Sequence, residues 1–281
     1  MTESSKITSF KVPDPAAVSE IVRRIAAEEI LPRYEKLERH EINEKAAGEI
    51  VTAADIASEK RLEAELSALL PGSVVVGEEG HAADASVIEH FTRGEPVWIV
   101  DPLDGTRNFA EGRPIFAVII ALAVAGETKA GWIYDPLADD MIHGVLGEGA
   151  WDAKGRIRLA SPSVDVAAMR GSVPKRPRDR LEEMGQAKGT PVPREMLRHR
   201  CCGREYMELI RSQLDFAMYG QLKAWDHAAG VLLHAEAGGH SGRAEDGGIY
   251  RPGAMQEGRY ILAADEARWR ELRDLLAAAL A

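Results

Sequence analysis

Two aspartates three residues apart, Asp101 and Asp104, directly follow the apolar run Trp98-Ile99-Val100 and lead into Gly105-Thr106. A strand that ends in a turn can bring both carboxylates and the Leu103 carbonyl to one point. Hard cations such as Mg²⁺ take such all-oxygen sets and keep positions open for water and phosphate. If a helix starts at Gly105-Thr106, its free N–H groups face the same point and can hold an anion. The same residues also make a plain Pro-x-Asp-Gly turn between two strands, so taken alone they leave both readings open.

Three other segments carry acidic groups at similar places. Gly77-Glu78-Glu79-Gly80 follows the apolar run 74–76, and its glutamates read equally as solvated loop charges. Thr52 and Asp55 stand at a helix start, where they form a shortened capping box that needs no chemistry. Asp226, after Trp225, opens another helix, and capping explains it too.

In combination the segments say more. Lys45, then Thr52-Ala-Ala-Asp55, Gly77-Glu78-Glu79, Asp101-Pro-Leu-Asp104-Gly-Thr106, Trp225-Asp226-His-Ala-Ala-Gly230 and Glu236-Ala-Gly-Gly239 occur in that order. This series, from about residue 45 to 240, resembles the inositol monophosphatase family. The resemblance implies an α/β (α+β) protein built as a layered αβαβα sandwich of the sugar-phosphatase type, usually a homodimer. Such an enzyme hydrolyses small phosphate monoesters with two to three Mg²⁺ ions and is inhibited by Li⁺. Carried over by position, Glu78, Asp101 and the Leu103 carbonyl hold a first ion. Asp101, Asp104 and Asp226 hold a second, and Glu78 supports a weaker third. Asp55 and Thr106 orient and deprotonate the attacking water, Gly105 and Thr106 offer backbone N–H groups to the phosphate, and Glu79 is supporting. Four carboxylates in a confined site cannot all ionise together without cations, which agrees with that implication.

The chain departs from the inositol-selective pattern at the substrate wall. A glutamate expected about seven residues before Asp226 is replaced near Tyr219, with Gln221 and Lys223 close by. A small-residue segment becomes Cys202-Gly203-Arg204-Glu205. Arg204, Tyr219 and Lys223 are therefore the expected wall, which points away from myo-inositol 1-phosphate. The substrate candidates are an inositol-phosphate-like polyol or sugar phosphate, histidinol phosphate, fructose 1,6-bisphosphate and adenosine 3′,5′-bisphosphate. A non-catalytic RNA- or protein-binding regulator on the same scaffold is the alternative of a different class.

The elements that must position these residues are legible from periodicity. Apolar residues at helical spacing predict helices over 14–38 and 52–70, the second closed by Pro71-Gly72. Apolar runs at 74–76, 97–100, 116–124, 131–134 and 141–145 predict strands, as do 214–219 and 260–263. Further helices are expected at 226–237 and after Asp265. The 281 residues divide into an N-terminal α+β half, 1–155, with most ligands and a C-terminal α/β half, 156–281, with Asp226 and the substrate wall.

With 45% hydrophobic and 28% charged residues, the chain can bury a sizeable core. Its net charge of −10 argues against coating nucleic acid or an anionic membrane. Residues 170–204 depart from that average, with ten Lys/Arg against four Asp/Glu. They form either a solvated face or a guide for an anionic substrate. Adjacent Cys201 and Cys202 suit neither a disulfide nor a zinc framework, and the N-terminus lacks a signal-peptide core, so a cytoplasmic location without membrane attachment is expected. His227 and His234 have no second pair at ligand spacing, and Trp98, Trp132, Trp151 and Trp225 read as core anchors.

Overall fold

The computed structural model describes residues 10–46, 49–160 and 165–280. Most of the N-terminal stretch read for a signal segment lies outside them. The chain starts with α1 (Pro15–Ile25), whose Asp14 Oδ1 accepts from the Ala16 N–H at 2.9 Å ahead of proline in the first turn. A π-turn (Ala26–Ile30) and a 3₁₀ turn (Leu31–Arg33) continue it, so the helical stretch stops short of residue 38. A hairpin that periodicity did not announce, β1 (Ile42–Ala46) and β2 (Glu49–Thr52), leads into α2 (Ala53–Leu69).

Next come β3 (Val74–Gly77), the short α3 (Glu78–Ala83), a 3₁₀ run (Ala85–Thr92), β4 (Pro96–Asp104) and α4 (Thr106–Ala110). An antiparallel meander follows: β5 (Ala117–Val124), β6 (Glu127–Asp135), β7 (Asp140–Val145), β8 (Gly149–Asp152) and β9 (Gly155–Ile157). These strands form a seven-stranded sheet in sequence order from β3 to β9, parallel only between β3 and β4.

The rest of the chain supplies β10 (Arg170–Ser172), α5 (Lys175–Lys188), β11 (Glu195–Leu197), α6 (Cys202–Ile210) and β12 (Phe216–Leu222). It ends with α7 (Ala224–Glu236), β13 (His240–Arg243), β14 (Gln256–Ala263) and α8 (Glu266–Leu280). Their strands make a second sheet in the order β11-β10-β12-β14-β13.

Strand alternation decides the layers. On β4, Trp98 and Val100 face one way and pack with Val18, Val22 and Ile25 of α1 and Leu62 and Leu66 of α2. Val97 and Ile99 face the other way and join Tyr206 of α6, Ala229 and Leu233 of α7, and Tyr219 and Leu262 of the second sheet. On the far side of that sheet, Phe216, Met218 and Ile261 meet Leu181 of α5 and Trp269, Leu272 and Leu276 of α8. The order is helices, sheet, helices, sheet, helices, the expected αβαβα sandwich. Its middle layer, α6 and α7, comes from the second half of the chain yet lies against the first sheet. Among the described residues no helix is long and apolar enough to cross a membrane.

Close approach within this middle layer depends on missing side chains. A Cβ on Gly131 of β6 would lie 2.9 Å from the Ala229 Cα of α7, a backbone contact that cannot yield cheaply. Gly131→Ala should therefore destabilise the fold by about 1–3 kcal/mol, the usual cost of overpacking. In a urea titration the midpoint should fall while the slope is retained; an unchanged midpoint would show that α7 can shift off the sheet.

Candidate active site

In a regular strand, residues three apart point to opposite faces. Asp101 pairs with Ile119 and Asp104 with Ala117, so β4 advances three residues while β5 advances two. That extra residue is a bulge, and it lets both aspartates serve one site. The Leu103 N–H donates to Asp101 Oδ1 at 3.0 Å and fixes the turn. Gly105 then takes φ +88°, and a Cβ there would stand 2.9 Å from the Ile115 carbonyl oxygen, so only glycine passes the chain into α4.

The second half of the chain completes the cluster. At the start of α6 the Gly203 N–H donates to Asp104 Oδ2 at 2.6 Å. Asp226 is the third residue of α7, behind Lys223 at the cap position, so it is not the cap, and its carboxylate reaches the cluster as the family resemblance implies. Carboxylate oxygens of Asp101, Asp104 and Asp226 all lie within 4.8 Å of one another. With Glu78, Leu103, Gly105, Thr106, Lys45 and Lys223 they line a cleft of about 190 Å³.

Burial raises all three acids. It pushes Asp101 and Asp226 well above the carboxylate range, helped by the charge of Glu78, and Asp104 up to about 6 against the pull of the Gly203 N–H. Like charges in little water favour protonation, and a cation is the other remedy. The donors are all oxygen, and one oxygen each on Asp101 and Asp104 is engaged by backbone N–H groups. The set fits a hard divalent cation. Cys202 and His227 also come within 4.8 Å of Asp226, but both His227 nitrogens are engaged, Nδ1 accepting from the Tyr206 hydroxyl and Nε2–H donating to the Gln221 carbonyl, each at 3.0 Å.

Next to this cluster, Asp55 Oδ2 accepts from the Thr52 N–H at 2.9 Å and the Thr52 hydroxyl at 2.6 Å, while Oδ1 accepts from the Thr106 hydroxyl at 3.0 Å. The capping box exists, and the same carboxylate also reaches the site. The single Thr106 hydroxyl proton is shared between Asp55 and the Leu103 carbonyl, 3.0 Å away. Burial lifts Asp55 to about 7, with Thr52 opposing.

Glu78 and Glu79 open α3, and both hold Lys45 Nζ, at 2.8 and 2.7 Å. Burial would lower this ammonium; the two glutamates outweigh it and raise it. Lys223 pairs with Glu49 at 3.0 Å across the mouth. Glu59 had no place in the sequence reading, although its spacing of four from Asp55 on α2 signals a shared face. It is buried, accepts from the Glu79 and Gly80 N–H groups at 2.9 and 2.6 Å, and burial raises it to about 7.

Two expected wall residues are elsewhere. Arg204 binds Asp135 at 3.1 Å and Glu208 at 2.9 Å on the flank of α6, because its helical position turns it off the cleft. Tyr219 is 1% exposed, stacks on Tyr206 at 5.5 Å and carries Arg198 over its ring at 5.1 Å, so it is core. Lys223 does line the cleft, and so does Arg200, which the sequence reading counted only within the basic segment. On α5, in the same segment, Lys175 pairs with Asp179 and Arg180 with Glu183 on a solvated face. His227 and His234 are buried and pushed down to about 3 and 4, which keeps them neutral. Trp98, Trp132 and Trp225 are buried, but Trp151 is 39% exposed on the short β8 and anchors no core.

Known proteins resemble this chain over most of its length. The profile of the Inositol monophosphatase family matches residues 14–281. An inositol-1-monophosphatase of Mesorhizobium japonicum is 34% identical over 214 residues, 73% of this chain and 76% of that protein. A protein of Haemophilus influenzae named Nus factor SuhB is 32% identical over 221 residues, 77% of this chain and 80% of that protein. The solved structure of an IMPase from Thermotoga maritima superposes with a TM-score of 0.78 at 21% identity, covering 93% of this chain and 96% of that one, a likeness of fold.

The raised acids set a pH dependence for the metal-free protein. At pH 6.5 Asp55 and Glu59, both lifted to about 7, keep protons in the folded chain that the unfolded chain, with carboxylates near 4, has already released, and burial raises Asp101 and Asp226 in the same direction. Raising the pH strips those protons from the folded state, so stability falls between pH 6.5 and 8. Thermal unfolding in a chelator should show a lower Tm at pH 8, and Mg²⁺ should raise Tm more at pH 8 than at pH 6.5. Equal Mg²⁺ shifts at both values would disconnect the acids from cation binding.

Proposed function

The chain belongs to the inositol monophosphatase family, and from that premise we propose that it is a Mg²⁺-dependent phosphoric monoester hydrolase acting on a small phosphorylated metabolite. The carrying observation is the convergence of Asp101, Asp104 and Asp226 beside the hydrogen-bonded pair Asp55–Thr106. Asp101, Asp104, Asp226, Glu78 and the Leu103 carbonyl would hold the ions. When bound, Mg²⁺ neutralises phosphate charge and lowers the pKa of the attacking water.

The remaining work falls to the chain. Thr106 Oγ1 accepts a proton from the attacking water as its own proton passes to Asp55 Oδ1, 3.0 Å away. Burial holds Asp55 above the ordinary carboxylate range in the metal-free chain, which favours it as the acceptor of that proton. Gly105 and Thr106, at the start of α4, line the cleft and offer backbone N–H groups to the phosphate oxygens.

Arg200, Lys223 and Lys45 also line the cleft, and among the described residues Arg200 makes no ion pair. A substrate carrying a second anionic group fits these cations better than a neutral polyol. Fructose 1,6-bisphosphate and adenosine 3′,5′-bisphosphate are therefore favoured over inositol 1-phosphate and histidinol phosphate. A homodimer working in the cytoplasm, sensitive to Li⁺, completes the proposal.

Phosphate release from these four substrates, with and without Mg²⁺ and with added Li⁺, tests it. Mg²⁺-dependent turnover of a bisphosphate above the monophosphates is expected. Folded, Mg²⁺-binding protein that is silent on every substrate and binds RNA in a salt-sensitive way would favour a regulatory role.

Two variants separate the roles. Asp55→Asn should lose about 10²–10⁴-fold in kcat, the usual worth of a general base, and keep its Mg²⁺ affinity. Asp101→Asn should lose both activity and Mg²⁺ affinity while remaining folded. Near-normal turnover in Asp101→Asn would remove the metal assignment.

A further inference from the structure

Helix α3 begins without a capping side chain. Its cap residue is Gly77, and the first-turn N–H groups would be left without acceptors. The acceptor arrives from another element. Glu59 on α2 places Oε2 2.9 Å from the Glu79 nitrogen and Oε1 2.6 Å from the Gly80 nitrogen. Both of its oxygens are thus engaged by the turn that carries Glu78 and Glu79.

Gly77 leaves the room for this. A Cβ at that position would lie 2.3 Å from Glu59 Cδ and 2.4 and 2.6 Å from its oxygens. The Gly77 φ of −102° is open to any residue, so space and not backbone conformation requires the glycine. Carboxylate and glycine form one fitted joint, in which the side chain of α2 occupies the place of a side chain on residue 77.

The joint bears on the cation cleft. Glu78, immediately after Gly77, lines the cleft with Asp101, Asp104 and Asp226, whereas Glu59 is not among the lining residues. One turn earlier on α2, Asp55 reaches Thr106 at the other side of the site. Helix α2 therefore sets two parts of the cleft with carboxylates four residues apart. A carboxylate at a helix N-terminus is also favoured by the exposed N–H dipoles there.

We propose that Glu59 is a positioning residue for the cation site: by capping α3 from α2, in space kept free by Gly77, it fixes Glu78 toward the site. This rests on the reading of the cleft as a Mg²⁺ centre. Glu59 touches neither substrate nor ion and works through the backbone of residues 79 and 80.

A double-mutant cycle on Mg²⁺ affinity tests it, with the metal-free full-length protein titrated with MgCl₂ in a calorimeter. Glu59→Ala and Gly77→Ala should each weaken Mg²⁺ binding about 10–100-fold, the range for residues that support a ligand from outside. Glu59→Ala/Gly77→Ala should be no weaker than Glu59→Ala, because the added methyl acts only by displacing the carboxylate. Ser58→Ala, at a buried position of the same helix whose hydroxyl has no hydrogen-bond partner among the described residues, should leave the affinity unchanged and so exclude a general disturbance of α2. Circular dichroism in chelator establishes that each variant is folded; where Glu59→Ala is not, Glu59→Gln, which can accept only one of the two N–H groups, and Gly77→Ala carry the test. Folded Glu59→Ala or Glu59→Gln binding Mg²⁺ within twofold of wild type would overturn the proposal, as would losses that multiply in the double variant. Wild-type protein that binds no Mg²⁺ would instead overturn the metal reading beneath it.

Discussion

Asp101, Asp104 and Asp226 bring like charges together where little water reaches them, and each is raised by that burial. The carboxylates would rather separate or stay protonated, so the architecture has to hold them in place from three directions. A bulge in β4 sets the first two, the N-terminal turn of α6 grips Asp104 through the Gly203 N–H, and α7 carries Asp226 in. Because α6 and α7 are packed between the two sheets, the cluster is only as rigid as the middle layer. Close contacts such as Gly131 on Ala229 are what place α7 at the right depth.

Local capping and chemistry use the same atoms in this protein. Asp55 closes the capping box of α2 with one oxygen and holds Thr106 with the other. Glu59, one turn on, supplies α3 with the acceptor that Gly77 lacks. A cap residue is already fixed by the helix it terminates, so it presents its free oxygen at little further entropic cost. The cations around the mouth are arranged in the same economical way. Lys45 bridges Glu78 and Glu79, and Lys223 meets Glu49, so each positive charge both steadies an acid and borders the cleft.

The basic stretch 170–204 divides along its secondary structure. Charges on α5 pair within one helical turn and remain a solvated face. Arg198 lies over Tyr219 and pairs with the buried Glu205, while among the described residues Arg200 alone of this stretch's cations reaches the cleft lining. Its backbone is in the left-handed region at φ 57°, with the preceding carbonyl of His199 held by Asn108 at 3.0 Å. That connection ties the wall of the cleft to α4, the helix that starts at Thr106.

The sequence alone determined the acids and the layered fold, because both are written in local order. Apolar runs ending in Asp101-Pro-Leu-Asp104-Gly-Thr106 and Gly77-Glu78-Glu79 mark strand ends, and their succession, with Trp225-Asp226, marks the family. Tertiary structure decided what each polar side chain does. No periodicity tells that Arg204 turns to Asp135, that Tyr219 disappears under Arg198, or that Glu59 reaches residues 79 and 80. The first and last depend on the rotation of α6 and α2 about their own axes, and the second on which face of β12 Tyr219 takes; each is set by packing between layers distant in sequence. The hairpin at 42–52 was hidden for a similar reason: its strands are short, and their pairing with each other, not an apolar pattern, makes them strands.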